Sequence, residues 1–337
     1  MSEPPSLPSF GIAYFGNRYL HHARADLAEI AATGSTFVVH AFSEGDLRWN
    51  PGTMRELVEA GAEAGLQSWM TPWGLAGVFG GESPSYAVMN HPEACQRDDE
   101  GMPLPALCPR QPAFRDLMQQ WLDAVAVTGA SVCQWDEPHL ARHPGDVNDR
   151  WACRCDACQV AFWKETGRDL PTAWDQEVKR FVRRLLSDTV AWLTTEARRR
   201  GLASSVVLLP DDADADDWYT LAALPGVQYF GVTPYWVLAN VGPQDYETYL
   251  RRWCERLVKA TSNVEAEPLG WIQAFAIPAG REPEIARGVE VMRETGITTV
   301  AVWAHRACAA MSGLAPEDPE LVWRTVQDAV ATARTST

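Results

Sequence analysis

The chain has 337 residues, of which 46% are apolar, and a formal net charge of −15 at pH 7. This length allows one large α/β domain or two ordinary ones, and the apolar fraction is enough to fill a large core. The acidic balance argues against nucleic acid as a partner, because a polyanion would be repelled.

Strand-like and helix-like segments alternate from end to end. The predicted strands are 10–16, 36–42, 66–72, 130–136, 202–209, 227–234, 269–275 and 297–303. The predicted helices are 18–34, 51–65, 111–129, 171–200, 244–261, 282–296 and 318–334. An acidic loop, 211–217, follows the fifth strand, and long loops follow the third and fourth strands.

Several of these strands are continuous apolar runs, as expected for parallel strands that are covered on both faces. Eight consecutive units of this kind predict an α/β fold, a (β/α)8 TIM barrel, with residues 1–337 in a single domain. Residues 1–9 are expected to form a flexible N-terminal tail. An open doubly wound sheet is the alternative, but the turn at 15–18, Phe-Gly-Asn-Arg, does not match its G-x-G-x-x-G signature.

The N-terminus shows neither the basic nor the apolar region of a signal peptide, and no apolar run approaches the roughly 20 residues that span a bilayer. Eight cysteines without an export signal favour a reducing compartment. The sequence therefore predicts a cytoplasmic protein with no membrane partner, and it is compatible with a homo-oligomer.

The functional residues of such a barrel lie at the C-terminal ends of its strands. The predicted strand ends are rich in aromatic, carboxylate and amide side chains, a combination that suits sugar rings and their hydroxyl groups. Individual Trp side chains are equally expected to fill the space between barrel and helices. The candidate substrate-binding residues are Trp73, Glu82, Tyr235, Trp236, Gln273, Trp303 and His305.

Two adjacent carboxylates, Asp136 and Glu137, end the fourth predicted strand. Glycoside hydrolysis needs two carboxyl groups at the scissile bond, so we expect one of these two to be catalytic. The second group is expected from another strand. The sequence offers Glu44, Glu82, Asp211 and Asp212, among which Glu44 and Asp211 are the preferred catalytic candidates. The alternative is that the pair only binds substrate hydroxyls or has a structural role.

Three cysteines, Cys153, Cys155 and Cys158, fall within six positions of the loop after the fourth strand. This spacing predicts a metal site, and tetrahedral zinc needs a fourth ligand. Cys108, in the neighbouring long loop, can reach it, and Cys95 is the alternative. Four thiolates leave no open coordination position, so we expect a structural zinc cofactor. Reduced cysteines without metal are the competing interpretation.

The segment 134–137, followed by the cysteine segment 153–167 and preceded by Cys108, resembles the family 42 β-galactosidases among the glycoside hydrolases. Those proteins are (β/α)8 barrels with a four-cysteine zinc site beside the acid on the fourth strand. The resemblance covers roughly residues 105–170. It implies that Glu137 is the acid/base group. It also implies that the zinc ligands are Cys108, Cys153, Cys155 and Cys158.

Two positions depart from that family. Asp136 stands where the family has Asn, and Gln273 stands on the strand that should carry the nucleophilic Glu. Either another residue supplies the second carboxylate, or Asp136 is the nucleophile, or hydrolysis is lost. The resemblance therefore does not extend to β-galactosidase activity itself.

These observations predict a glycoside hydrolase that acts on a small saccharide or glycoside by carboxylate acid/base catalysis. Two alternatives stay open at this stage. One is a non-catalytic sugar-binding barrel, which Gln273 favours. The other is a metal-dependent sugar isomerase or epimerase, which would need a catalytic metal at the barrel mouth.

Overall fold

The computed structural model describes residues 9–81, 83–141, 151–210 and 215–335. Its strands are β1 (Ser9–Tyr14), β2 (Phe37–Ala41), β3 (Gln67–Thr71), β4 (Cys95–Arg97), β5 (Pro103–Leu107), β6 (Val132–Asp136), β7 (Ala203–Leu208), β8 (Val227–Val232), β9 (Glu267–Gln273) and β10 (Thr299–Trp303). All of them except β4 and β5 form a closed parallel barrel in chain order, in which β1 pairs with β10. The predicted (β/α)8 barrel is confirmed.

Helices surround the barrel. In the described part of the chain, those that follow barrel strands are α1 (Leu20–Ala32), α3 (Pro51–Glu63), α5 (Pro112–Ala126), α7 (Gln176–Arg199), α8 (Ala215–Ala222), α9 (Tyr246–Thr261), α10 (Pro283–Glu294) and α11 (Pro319–Thr335). The α8 helix was not predicted, because the acidic run before it reads as loop. None of the described helices combines the length and apolar character needed to cross a bilayer.

Alternation along the strands decides which residues face the barrel axis. On β6, Val132 packs in the interior cluster with Trp69 and Val207, whereas Trp135 packs outward, with its ring 5.8 Å from that of Trp121. Because successive strand residues point to opposite faces, Asp136 shares the inward face with Val132.

The barrel interior is a packed core rather than a pore. The rings of Phe37 and Trp69 stack 4.1 Å apart, and Tyr229 lies 4.6 Å from Trp69. Layers of side chains, most often branched aliphatic ones, fill the interior of such barrels, and here aromatic rings take part of that role. It leaves the C-terminal ends of the strands as the accessible mouth.

Two long loops stand over that mouth, as the sequence predicted. The loop after β3 contains the short helix α4 (Tyr86–Asn90) and the antiparallel β4–β5 hairpin, and the loop after β6 contains α6 (Asp156–Thr166). A further short helix, α2 (Glu44–Trp49), follows β2. These small elements were not predicted, because each is too short for its periodicity to emerge.

The N-terminal boundary differs by one residue from the prediction. Ser9 already belongs to β1, where its backbone N–H donates to the carbonyl of Thr298 at 2.8 Å. Residues 1–8 lie outside the described residues.

Candidate active site and metal centre

Asp136 and Glu137 lie together at the end of β6. Glu137 has a φ of +45°, so the chain has left the strand and the alternation of faces no longer separates the two side chains. A methyl group on the Cα of Gly80 would lie 2.9 Å from Oδ2 of Asp136 and 3.6 Å from Oε2 of Glu137. Both carboxylates therefore converge on one point of the loop after β3.

Thr233, just beyond β8, holds the Glu137 carboxylate. Its hydroxyl lies 2.6 Å from Oε1 of Glu137 and 3.3 Å from the carbonyl of Leu208. A hydroxyl has one proton and two lone pairs. It can donate to ionised Glu137, or accept from protonated Glu137 while donating to Leu208. The contact therefore survives a change of protonation state, as a general acid requires.

Tyr235 lies next to the carboxylate pair, and its side chain is buried. Burial, together with the nearby charges of Glu137 and Asp136, raises the pKa of Tyr235 well above its usual value. The phenol therefore stays protonated and is a neutral hydrogen-bonding group at the mouth. Tyr235 was predicted as a substrate-binding residue, and that role stays a prediction.

Trp73 and Trp303 are at the mouth, but they stack on each other. Their rings are parallel within 1° with centroids 4.9 Å apart, and Phe15 lies about equally close to both, at 5.5 and 5.6 Å. Each Trp is more than nine-tenths buried. They form one aromatic wall, not two separate platforms, and sugar contacts are limited to the parts that the stack leaves open.

Polar atoms without protein partners lie on the inward face below the pair. Gln134 and Ser205 are register partners on β6 and β7, and Thr71 lies on neighbouring β3. Oε1 of Gln134 and the hydroxyl oxygens of the other two have no hydrogen-bond partner among the described residues, although all three residues are buried. Buried polar groups are normally hydrogen bonded. This layer therefore suits water or the polar groups of a ligand.

Glu44, predicted as a catalytic candidate, lies apart from the carboxylate pair, and its catalytic role stays a prediction. Its Oε1 accepts hydrogen bonds from the backbone of Ala76 at 3.0 Å and the hydroxyl of Ser85 at 2.5 Å, and its Oε2 accepts one from the backbone of Ala87 at 2.8 Å. A carboxylate with three such donors anchors the loop after β3.

Gln273 and Trp236, predicted as substrate-binding residues, have polar groups that hydrogen bond within the protein, and their binding role stays a prediction. Oε1 of Gln273 accepts from the backbone of Val237 at 3.0 Å, and its Nε2 donates to the carbonyl of Phe275 at 3.0 Å. Trp236 is fully buried, and its ring N–H donates to Glu284 on α10 at 2.6 Å. Both side chains are occupied in fixing the loops after β8 and β9.

Two predicted residues, Glu82 and Asp211, lie outside the described residues, as does Asp212. Their roles stay predictions. His305 lies at the rim beyond β10, where its Nε2 is 3.3 Å from Oε2 of Glu29. Burial lowers the pKa of His305 below its usual value, so the ring is neutral at pH 7.

The four predicted metal ligands meet in one buried cluster. The sulfur atoms of Cys108, Cys153, Cys155 and Cys158 all lie within 4.8 Å of one another, and those of Cys108 and Cys158 are 3.5 Å apart. Four thiolates around a tetrahedral ion at about 2.3 Å stand roughly 3.8 Å apart. The cluster therefore has the composition and dimensions to hold a metal ion.

The alternative ligand, Cys95, is not part of this cluster. It lies on β4, and its thiol is 3.6 Å from the carbonyl of His91 and 3.7 Å from that of Val88. Within the cluster, hydrogen bonds from neighbouring thiols lower the pKa of Cys155, and the same contacts raise the pKa of Cys158. A cation is needed for all four to be thiolates together.

The cysteine cluster joins the two long loops. Arg154, between two of the cysteines, donates its backbone N–H to the carbonyl of Arg97 on β4 at 2.9 Å. Closer to the carboxylates, the backbone N–H of His139 donates to the carbonyl of Val78 at 2.9 Å. The segment that carries Glu137 is thus fastened to the loop that carries Gly80.

Gly80 offers a direct test of this packing. We expect Gly80→Ala to displace the Asp136 carboxylate, because the new methyl group would lie 2.9 Å from Oδ2. Any activity that depends on the pair should fall about tenfold or more, since displacing reacting groups by about an ångström strongly lowers the reaction rate. Thermal unfolding should change little. Gly52→Ala is the matched control, because nothing lies within 4 Å of its added methyl group. Equal effects of the two substitutions would contradict the assignment.

The importance of Gly80 was not predicted. The only signal in the sequence was the Gly-Gly pair at 80–81 in a long loop, and a pair of this kind usually marks a simple turn. Thr233 was placed at a strand end but not assigned a role, because its contact spans 96 residues of sequence.

Known proteins with this fold include carbohydrate-active enzymes. The endo-1,4-β-mannanase of Rhizomucor miehei superposes with a TM-score of 0.62 at 10% identity, over 100% of this chain and 97% of the mannanase. The GH5_18 protein of Streptomyces cattleya, solved with GlcNAc, gives 0.58 at 14% identity, over 98% and 81%. The D-allulose 3-epimerase of a Methylomonas species gives 0.51 at 11% identity, over 98% and 96%.

No protein-family model matches the chain, and no curated protein matches its sequence. The resemblance to the family 42 β-galactosidases therefore has no support beyond the residues that suggested it. The structural likenesses establish the barrel fold, which is shared by hydrolases and by an epimerase. Function must be argued from the site.

Proposed function

We propose that this protein is a glycoside hydrolase whose catalytic groups are Asp136 and Glu137. The observation that carries the proposal is the convergence of both carboxylates on Gly80 at the barrel mouth. Solved neighbours with the same fold include two endo-mannanases and GH5_18 proteins bound to GlcNAc or Manβ1-4GlcNAc, which favours a β-linked hexoside as substrate.

In this proposal Glu137 is the general acid. It protonates the glycosidic oxygen as the bond to the anomeric carbon breaks, and Thr233 hydrogen bonds to it before and after that transfer. Asp136 lies on the inward face of β6 and stabilises the positive charge that develops at the anomeric carbon, or attacks it directly. Water then forms the new bond to the anomeric carbon, displacing Asp136 if it is bound there, and its proton returns to Glu137. The aromatic wall of Trp73 and Trp303 borders the sugar.

The cysteine cluster is proposed to bind zinc. Cys108, Cys153, Cys155 and Cys158 would fill its four coordination positions, so the ion would be structural and would take no part in the reaction. Its contribution would be to fix the two long loops around the carboxylate pair. A cluster of cysteines that binds metal suits a reducing compartment, so we also propose a cytoplasmic location.

A metal-dependent epimerase is the second candidate, and a structural neighbour that is a D-allulose 3-epimerase favours the epimerase class. The described group of suitable composition is Asp26, Glu29 and His305, whose ligand atoms lie within 4.8 Å of one another. However, Arg306 lies 2.7 Å from Glu29 and 3.9 Å from Asp26. A guanidinium already occupies the position where a catalytic cation would be needed, so we favour the hydrolase.

A screen of p-nitrophenyl β-glycosides of mannose, glucose, galactose and N-acetylglucosamine tests this proposal. We expect release of nitrophenol from at least one of them without added metal. Calorimetric binding of the same sugars should be measured in parallel. Binding without turnover of any glycoside would instead indicate a non-catalytic barrel, and ketose epimerisation dependent on a divalent ion would indicate the epimerase.

A further inference from the structure

Two cavities open beside β1 and β10, on the same face of the barrel as the carboxylate pair. Their volumes are about 300 and 230 Å³, and they share the lining residues Asn17, Asp26 and Arg306. These volumes lie at or just below the lower end of the roughly 300–1,000 Å³ range of sites for drug-sized ligands, so each cavity suits a single ring. Neither is lined by Asp136 or Glu137.

The smaller cavity adjoins the proposed active site. Its wall includes Phe15 and Cys308. Phe15 stacks on Trp73 and Trp303 with centroid separations of 5.5 and 5.6 Å, and Cys308 belongs to the interior cluster that contains Tyr235. The cavity therefore adjoins the aromatic stack and the interior cluster that contains Tyr235, the residue beside the carboxylate pair.

The polar lining of the cavity is held in place. Asp26 is buried, and its Oδ2 accepts hydrogen bonds from the hydroxyl of Tyr14 at 2.8 Å and from the side chain of Asn17 at 2.9 Å. Burial and the bond to Asp26 raise the pKa of Tyr14, so the phenol remains a donor. The carboxylate retains further lone pairs, because each of its oxygens accepts more than one hydrogen bond.

An unusual backbone conformation supplies the opposite wall. Arg306, Ala307 and Cys308 have φ values of +48°, +54° and +58°, three consecutive non-glycine residues in the left-handed region. L-residues other than glycine adopt this region rarely. This turn places the Arg306 guanidinium, which is 59% exposed, 2.7 Å from Glu29 and along the cavity.

We infer that these cavities are a second sugar subsite, so that the substrate is an oligosaccharide rather than a simple glycoside. The inference rests on the proposed hydrolase function. A carboxylate, an amide, a neutral imidazole and a guanidinium offer donors and acceptors side by side, and Phe15 supplies an apolar wall. A neutral pyranose needs this mixture. A phosphate would be repelled by Asp26 and Glu29, and a metal cation by Arg306.

The dependence of kcat/KM on the number of sugar units in the substrate tests the inference. Asn17→Ala and Arg306→Ala each remove one exposed group from the cavity without emptying the core. Mannotriose, cellotriose and chitotriose serve as probes, beside the p-nitrophenyl glycoside of the matching sugar. We expect each variant to lower kcat/KM about tenfold or more for the trisaccharide that is cleaved, relative to its effect on the nitrophenyl glycoside.

The controls are Arg24→Ala, which removes an arginine paired with Glu63, and Asn263→Ala, at the opposite end of the barrel before β9. Both should leave the ratio of the two substrates unchanged. Equal losses on both substrates in the Asn17 and Arg306 variants, or no loss on either, would overturn the subsite while leaving the hydrolase proposal standing.

Measuring trisaccharide binding tests the subsite independently of whether the protein hydrolyses glycosides. Calorimetry with the same trisaccharides on Glu137→Gln should show binding that weakens about tenfold when Asn17→Ala is added. A result in which the unaltered chain cleaves no glycoside, while trisaccharide binding still weakens in the Asn17→Ala variant, would support the subsite and reject the hydrolase proposal. Trisaccharide binding indifferent to both substitutions would reject the subsite.

Discussion

Glu137→Gln is expected to reduce hydrolysis of a phenyl glycoside by about two to four orders of magnitude, the range that general acid catalysis contributes. The amide has nearly the same shape and can still hydrogen bond to Thr233, but it has no proton to deliver to the leaving oxygen. The fold should be intact, because the change is isosteric. Steady-state kinetics and thermal unfolding on one preparation measure both effects.

Substrates with different leaving groups distinguish the catalytic roles of Glu137 and Asp136. A dinitrophenyl group departs without protonation, so Glu137→Gln should lose much less activity on the dinitrophenyl glycoside than on the phenyl glycoside. If Asp136 acts at the anomeric carbon, Asp136→Asn should lose activity on both to a similar extent. Glu59→Gln, an exposed carboxylate on α3, is the control and should match the parent. Parental rates in both variants would reject the assignment.

Cys153→Ser is expected to abolish metal binding and to destabilise the whole barrel. The purified chain should hold about one zinc ion, and the variant none. Structural zinc contributes many kcal/mol in small domains. Even a loss of several kcal/mol corresponds here to a fall in Tm of about 10 °C. Elemental analysis and calorimetric melting measure the two quantities.

Cys95→Ser is the matched control, since Cys95 is also a buried thiol, in the loop that carries Cys108, but its thiol hydrogen bonds to backbone carbonyls and is not part of the cluster. It should keep the zinc and most of the stability. Chelation should lower activity only as far as it unfolds the protein, because the ion has no position open to substrate. Loss of activity from a fully folded, zinc-free chain would show that the ion is catalytic.

The barrel was predictable because its signal is repeated. Eight apolar strands, each followed by a helix or loop, leave few alternatives. Among the described helices that pack around the barrel only α8 was overlooked, where an acidic run obscures the helix. The choice of Cys108 as fourth ligand was also accessible, because loops after neighbouring strands lie side by side. Cys95 could be set aside only when its contacts were known.

The hydrogen-bond partners of the other strand-end residues were not predictable from the sequence. Glu44 looks like a catalytic acid until Ala76 and Ala87, more than thirty residues away, are seen to donate to it. Gln273 and Trp236 likewise have partners set by loop conformation rather than by strand register. For Asp136 and Glu137, alternation predicts opposite faces, and the positive φ of Glu137 removes that separation.

The cysteine cluster has a consequence for anyone who redesigns this barrel. Because it fastens the loops after β3 and β6 to each other, a deletion or insertion in either would disturb both, together with the carboxylates between them. The cysteine cluster does not connect the loops after β1 and β10, which line the cavities. They are the segments in which library diversity can be introduced to alter selectivity while the chemistry stays in place.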